Sequence, residues 1–293
     1  MKNILFRRIY YPAKGALKRV RWMGRRIAAA FRWGGGELAR APAVLGNAMP
    51  KSGSHLIIQV LQGLTRVGPF VNPGFPPLNR AEDNSRLPVS AILARIERML
   101  PGDIAYGYIT AQEPFIAALA RPGRATVFVY RDPRDMIVSH IFYATQIHMG
   151  HGMHQYYTQT LDSMERRIEA AIRGVKEPGA RLSDIHSRYQ VYLGWLDQPG
   201  VLCLRFEDLI LQRDEAFGRL LDYLEGRGFR PRVGRAKALQ VLHRAVVPKK
   251  SGTYRKAQPG NWREHFTEAN RASFKECTGD LLIRLGYESD ANW

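Results

Sequence analysis

Ala43-Val44-Leu45-Gly46-Asn47-Ala48-Met49-Pro50-Lys51-Ser52-Gly53-Ser54-His55 decides the fold class. Its first seven residues are a short apolar run that breaks at Pro50, and the chain resumes at His55 with a different period. Leu56, Ile57, Val60, Leu61 and Leu64 follow at helical spacing. The unit therefore reads strand, tight loop, helix. At such a junction the first backbone N–H groups of the helix and its dipole favour an anion. Gly53 permits close backbone approach, Ser52 and Ser54 add hydroxyl donors, and Lys51 supplies a point charge. The spacing is not G-x-x-x-x-G-K-[ST], which argues against a nucleoside-triphosphate kinase.

Downstream, Ala125 to Tyr130 is a compact β-branched and aromatic run, the pattern of a central parallel strand. Pro133 suits the first turn of a helix, which would carry Met136, Ile137, His140, Ile141 and Ala144 on one face. Arg131 ends the strand, and Ser139 lies about two turns into that helix. A guanidinium and a hydroxyl there suit a second phosphate, because ligands of open α/β sheets bind outside the carboxyl ends of strands. Asp132, Arg134 and Asp135 are read as helix-start caps and ion pairs. Further helices are expected at 161–173, 182–197, from about 207 to 225 and from Glu268 to Leu285, with a third strand over Val201–Phe206. Residues 67–90 and 247–266 read as irregular. Strands alternating with helices predict an α/β fold, a parallel sheet with helices on both faces.

The chain has 293 residues, 45% hydrophobic, with a formal net charge of +18, so it can bury a full core and should have an anionic partner. Residues 1–40 hold eleven basic side chains against one acid, Glu37, a net +10 that leaves +8 for residues 41–293. The domain reading is thus a basic N-terminal extension, 1–40, ahead of one domain, 41–293, with Gly34-Gly35-Gly36 as the link. The extension interleaves Leu5, Phe6, Ile9, Tyr10, Leu17, Val20, Trp22, Met23, Ile27 and Phe31 with its cations. That pattern fits amphipathic helices at an anionic membrane surface, or a basic helix packed on the body. No run reaches the ~20 apolar residues of a transmembrane helix, and no secretory signal pattern is present. Cys203 and Cys277 make neither a disulfide framework nor a zinc site; both are read as buried, in a reducing, cytoplasmic setting.

Four segments, in order, resemble the PAPS-dependent sulfotransferases, enzymes that use 3′-phosphoadenosine 5′-phosphosulfate (PAPS). Pro50-Lys51-Ser52-Gly53-Ser54-His55 is similar to their 5′-phosphosulfate loop. Tyr130-Arg131-Asp132-Pro133-Arg134-Asp135-Met136-Ile137-Val138-Ser139 resembles their 3′-phosphate motif. Leu204-Arg205-Phe206-Glu207-Asp208-Leu209 is similar to the strand-to-helix junction beside the adenine. Arg255-Lys256-Ala257-Gln258-Pro259-Gly260-Asn261-Trp262, then His265-Phe266-Thr267, is similar to the C-terminal motif on a loop closing over the cofactor.

The resemblance spans about Ala43 to Leu285 and implies a P-loop-like parallel sheet, PAPS as donor, 3′,5′-ADP as product and no metal. It assigns Lys51 to the bridging oxygen of the leaving group, and Ser52, Gly53, Ser54 and His55 to the 5′-phosphate. Arg131, Ser139 and Arg255 go to the 3′-phosphate with Lys256 and the Ala257 amide assisting, and Phe206 goes to the adenine. The resemblance leaves the acceptor open, a hydroxyl or amine of a small molecule or glycan, and the basic amphipathic extension points toward a glycan or lipid-linked one.

Four positions depart from the family pattern. Ala257 replaces a glycine, Phe206 a tyrosine and Leu56 an adenine-stacking tryptophan. Tyr108 falls where relatives carry a catalytic histidine, and a phenol is a poor base at neutral pH. His55, Glu113, His140, His148, His151 and His154 are other candidate bases, and none is assigned. His148, His151 and His154 recur at threes, a weak metal spacing within residues 146–158, which with Tyr156 and Tyr157 read as an acceptor-side flap. Tyr189, Tyr192, Trp195 and Leu196 read as packing residues. Two rival classes stand beside the enzyme. One is a basic nucleic-acid-binding protein, disfavoured because the charge is concentrated at one end and no recognition motif appears. The other is a catalytically silent relative that binds PAPS or 3′,5′-ADP.

Overall fold

Every residue from Ala43 to Met49 is buried. Alternate residues of a strand face opposite sides of the sheet, so a fully buried run means both faces are covered here. The same holds for six of the seven residues Arg124–Tyr130. These two runs are the centre of a parallel sheet, as their near-continuous apolar sequence requires. The computed structural model describes residues 2–72, 74, 77–247 and 258–293.

In chain order the elements begin with α1 (Lys2–Trp33), α2 (Gly35–Arg40), β1 (Ala43–Ala48), α3 (Ser54–Leu64), α4 (Val89–Glu97), β2 (Ile104–Gly107), α5 (Glu113–Leu119) and β3 (Arg124–Tyr130). They continue with α6 (Pro133–Phe142), α7 (Met164–Arg173), β4 (Val175–Glu177), β5 (Ala180–Leu182), α8 (Ile185–Leu193) and β6 (Val201–Arg205). The last are α9 (Phe206–Leu211), α10 (Arg213–Glu225), α11 (Arg235–Ala245), α12 (Glu268–Thr278) and α13 (Leu281–Arg284). By compactness they fall into two units: residues 1–130 with 194–247, and residues 131–193 with 248–293.

The first unit holds a four-stranded, all-parallel sheet in the order β2-β1-β3-β6, flanked by helices. Strand order reverses between β1 and β3, the kind of switch point where open α/β sheets bind ligands at the carboxyl ends of their strands. Helix α3 lies close on β1: a Cβ at Gly46 would stand 2.7 Å from Leu61 Cδ1 and 3.3 Å from Ile57 Cγ1. A side chain at this position would push Leu61 out of place, so glycine suits the close approach.

Helix α1 is one continuous helix docked along one side on this unit. Trp22 Nε1 donates to Asp103 Oδ1 at 2.9 Å, Arg25 to the Asn72 carbonyl and Arg26 to the Pro101 carbonyl, each at 2.9 Å, and Lys18 pairs with Glu82 at 2.8 Å. Ala29, Leu38 and Val71 form a small core under Trp22, Ala30 and Trp33. Among the described residues no helix is long and apolar enough to cross a membrane.

The second unit is built on helices. Asp132 caps α6 by accepting from Arg134 N at 2.9 Å. The helix then widens into a π-helical turn at Tyr143–Ile147, and a second such turn follows at Tyr156–Thr160. Strands β4 and β5 pair as an antiparallel hairpin. Helix α12 opens with a capping box of Thr267 and Asn270 and is tied to α7 by Ser273 Oγ donating to Glu169 Oε1 at 2.7 Å and by Arg173 pairing with Glu276 at 2.5 Å.

Several expectations need correction. The glycine run is not a plain link, because Gly35 and Gly36 already belong to α2 and only Gly34, at φ 92°, makes the break. β2 is a fourth strand of the sheet, too short and mixed in sequence to announce itself. The expected helix beyond Glu268 divides at Gly279 and the one after β6 at Gln212, while Phe206 opens a helix rather than closing a strand. Cys203 and Cys277 are half-buried rather than buried.

Candidate active site

The loop between β1 and α3 is stretched into an unusual backbone. Lys51 sits at φ 67° and Gly53 at φ 93°, both left-handed, on either side of Ser52. A lysine held there costs energy that an ordinary turn would avoid, which marks the loop as a functional candidate. Alternating backbone conformations of this kind turn successive N–H groups toward one concavity suited to an anion, at the start of an eleven-residue helix whose first N–H groups have no intrahelical acceptor. Ser52 is fully buried, and its Oγ has no hydrogen-bond partner. An orphaned buried hydroxyl is costly unless something else bonds to it.

Phe206, at the start of α9, packs its ring directly over the loop glycine. A Cβ at Gly53 would lie 2.5 Å from Phe206 Cδ2. Leu56 is buried on α3. His55 is exposed, yet partial burial of its ring, and then the Lys51 ammonium, hold its pKa below the usual histidine value. Its imidazole is therefore neutral at neutral pH.

Tyr108, just past β2, reaches this loop: its hydroxyl donates to Ser54 Oγ at 3.0 Å. Two asparagines fix the backbone around it. Asn79 donates to the Tyr108 carbonyl at 3.0 Å and accepts from Tyr108 N at 3.2 Å. Asn47, buried inside β1, does the same for Ile109 at 2.9 and 2.8 Å, and Trp195 Nε1 also donates to the Ile109 carbonyl at 2.8 Å. The sequence reading missed both asparagines and took Trp195 for packing alone. A lone amide in the apolar run Ala43–Ala48 was the available signal, since a buried polar group needs partners.

In the second unit Arg131 is 8% exposed, and its Nη2 stands 3.6 Å from Asp135 Oδ2. Tyr189 Oη donates to the Arg131 carbonyl at 2.8 Å. Asp135 is more than a helix-start residue. Its two oxygens accept from Gly260 N at 2.8 Å and Trp262 N at 2.9 Å, so one carboxylate holds both the arginine and the Gly260–Trp262 part of the C-terminal motif. Burial raises its pKa, and the Arg131 charge and the two N–H donors oppose that rise without cancelling it.

Beside it Arg134 is buried between two indoles, its Cζ 4.0 Å from the Trp262 ring and 4.5 Å from the Trp293 ring, and it pairs with Asp132 and Glu288. Ser139 is half-buried on α6. Arg255, Lys256 and Ala257 lie outside the described residues.

The other candidate bases are scattered. Glu113 is exposed at the start of α5. His140, His148 and His151 form an edge-to-face ring cluster with Tyr143 and Tyr157, centroids 5.1–6.0 Å apart. His154 bonds the Ala144 carbonyl at 2.8 Å, and His151 Nδ1 accepts from Met153 N at 3.1 Å. Among the described residues no group of side chains could hold a metal ion.

No curated protein matches the chain in sequence. The fold is shared with solved structures that include a sulfotransferase. One is mouse sulfotransferase SULT7A1 complexed with PAP, 12% identical, with a TM-score of 0.57 over 87% of this chain and 89% of that one. Another is retinol dehydratase in complex with androsterone and inactive cofactor PAP, 15% identical, with a TM-score of 0.53 over 85% of this chain and 83% of that one. The family described as "Sulfotransferase domain" matches residues 115–286, which take in Arg131, Ser139, Phe206 and Trp262. Since that match covers more than half of the 293 residues, the chain belongs to the sulfotransferase domain family.

Proposed function

We propose that the chain transfers the sulfuryl group of PAPS to a hydroxyl or amine of an acceptor, releasing 3′,5′-ADP. The observation that carries this reading is the β1–α3 loop: two left-handed residues, an orphaned buried Ser52 hydroxyl and a lysine, at a helix start beside the strand-order switch. An anionic phosphosulfate fits that donor set. The PAP held by both solved relatives supports the same nucleotide here.

Bound PAPS supplies an activated sulfuryl group on a phosphate leaving group. Lys51 then offers a fixed cation where charge grows as the S–O bond breaks, stabilising the transition state more than the ground state. Ser52, Gly53, Ser54 and His55 offer donors to the 5′-phosphate. Arg131 and Ser139, with Arg255, Lys256 and the Ala257 amide, take the 3′-phosphate; a planar guanidinium suits bidentate phosphate contact. Asp135 fixes Arg131 before ligand arrives, which lowers the ordering cost of binding. Phe206 supplies an aromatic face toward the adenine.

Tyr108 enters as a hydroxyl that orders Ser54, not as the proton acceptor. A glycan or lipid-linked acceptor is the class we favour, on the basic and apolar character of residues 1–40.

Tyr108 in place of a histidine also supports a second reading, a silent relative that binds the nucleotide without turnover. Release of 3′,5′-ADP from PAPS, measured with and without fractionated acceptors, separates the two. Acceptor-dependent release supports the transferase, and tight 3′,5′-ADP binding with no release under any acceptor fraction supports the silent protein.

A further inference from the structure

Helix α1 has two faces of different character. Lys18, Trp22, Arg25, Arg26, Ala29 and Trp33 meet the body of the first unit. The opposite face carries Leu17, Val20, Met23, Ile27 and Phe31, each more than half exposed, with Phe31 at 88%. At ~100° per residue these side chains fall within an arc of roughly 120°, continued toward the N-terminus by Tyr10, 45% exposed. Ala16, Gly24 and Ala28 fill the gaps and are themselves exposed. Arg19 borders the arc on one side, Arg21 and Arg32 on the other, all exposed. The docked side accounts for how the helix is held, and it leaves the apolar arc facing water.

We infer that this arc lies on an anionic lipid bilayer, parallel to its surface, and so seats the first unit at the membrane. The geometry is that of an interfacial helix: an apolar face bordered by arginines, too charged to span the bilayer. Charge decides among occupants. With +10 in residues 1–40, a second copy of the chain would bring like charge against like. A duplex nucleic acid would satisfy the arginines but leave Leu17, Val20, Ile27 and Phe31 in water. Only a surface with anionic headgroups over hydrocarbon matches both parts. The inference does not depend on the sulfuryl-transfer reading.

Co-sedimentation of the full chain with equimolar phosphatidylglycerol–phosphatidylcholine vesicles tests it, with pure phosphatidylcholine vesicles alongside. Binding to the anionic vesicles is expected, and much weaker binding to the zwitterionic ones. Replacing Ile27→Ser with Phe31→Ser should weaken partitioning on the order of 100-fold, and Arg19→Ser with Arg21→Ser about 30-fold. All four side chains are exposed, so the variants should keep the wild-type melting curve. Absence of vesicle binding by the wild-type chain overturns the inference, as do equal binding to both vesicle types and unchanged binding by the apolar pair. It is equally overturned if the apolar substitutions instead dissolve a dimer seen by sedimentation, or abolish binding to duplex DNA.

Discussion

Gly53→Ala isolates the contact that joins the anion loop to the nucleotide side of the site. Two costs can be worked from the structure. The residue sits at φ 93° and ψ 28°, where an L side chain costs about 1–2 kcal/mol. Its new Cβ would stand 2.5 Å from Phe206 Cδ2 and 3.1 Å from Cε2, against an ordinary carbon–carbon contact of about 3.5–4.0 Å. The ring must retreat by about 1 Å inside a packed core, because Phe206 is only 6% exposed, and overpacking of that kind costs about 1–3 kcal/mol. The expected loss is thus about 2–5 kcal/mol, read as a lower midpoint in urea unfolding at unchanged slope. A double-mutant cycle with Phe206→Ala separates the parts: removing the ring should relieve the clash, so the double variant loses about 1–3 kcal/mol less than the sum of the singles. The backbone cost should remain. A Gly53→Ala protein within ~0.5 kcal/mol of wild type would refute this reasoning, as would losses that simply add.

Lys51→Ala should lower kcat by about 100- to 1,000-fold while shifting PAPS affinity far less; a change confined to affinity removes the leaving-group role. Arg131→Ala should weaken 3′,5′-ADP binding by about 10- to 100-fold and barely alter binding of adenosine 5′-phosphosulfate, as calorimetry would show. Asp135→Asn sets an amide N–H against the N–H groups of Gly260 or Trp262, a buried mismatch of about 1–3 kcal/mol; hydrogen exchange at residues 260–262 should rise, and wild-type protection there would contradict the anchor. For His55 the folded chain disfavours the imidazolium, so the unfolded chain takes up the proton first. Stability should therefore fall as pH drops through the ordinary histidine value, 6.5. His55→Gln should flatten the difference in urea midpoint between pH 7.5 and 5.5, and equal slopes would show that burial does not act on this ring.

How much of this was legible in the chain depended on whether the information was local. The β1–loop–α3 unit could be read because a buried parallel strand, a break and a 3.6-residue period occupy one continuous stretch. The same is true of β3 followed by Arg131 and Pro133. The second role of Asp135 could not be read, since its acceptors' partners, Gly260 and Trp262, come about 125 residues later. Nor could the docking of α1, which depends on Trp22 meeting Asp103 across 81 residues. Burial raises the Asp103 pKa although Trp22, Arg26 and the Leu100 N–H all favour its charge, and its bonds to Trp22 and Arg26 hold the helix.

Tyr108 shows the same limit at the centre of the site. By its position in a family pattern it reads as a missing base. In the fold it is a hydroxyl held by Asn79 at its backbone and delivered to Ser54, with Asn47 fixing the next residue. A side chain so anchored, and bonded to a loop serine, is placed to order the donors of that loop. The proton on the acceptor is then left to a group elsewhere, and an amine acceptor makes less demand on such a group than an alcohol, because its lone pair can attack before the proton departs.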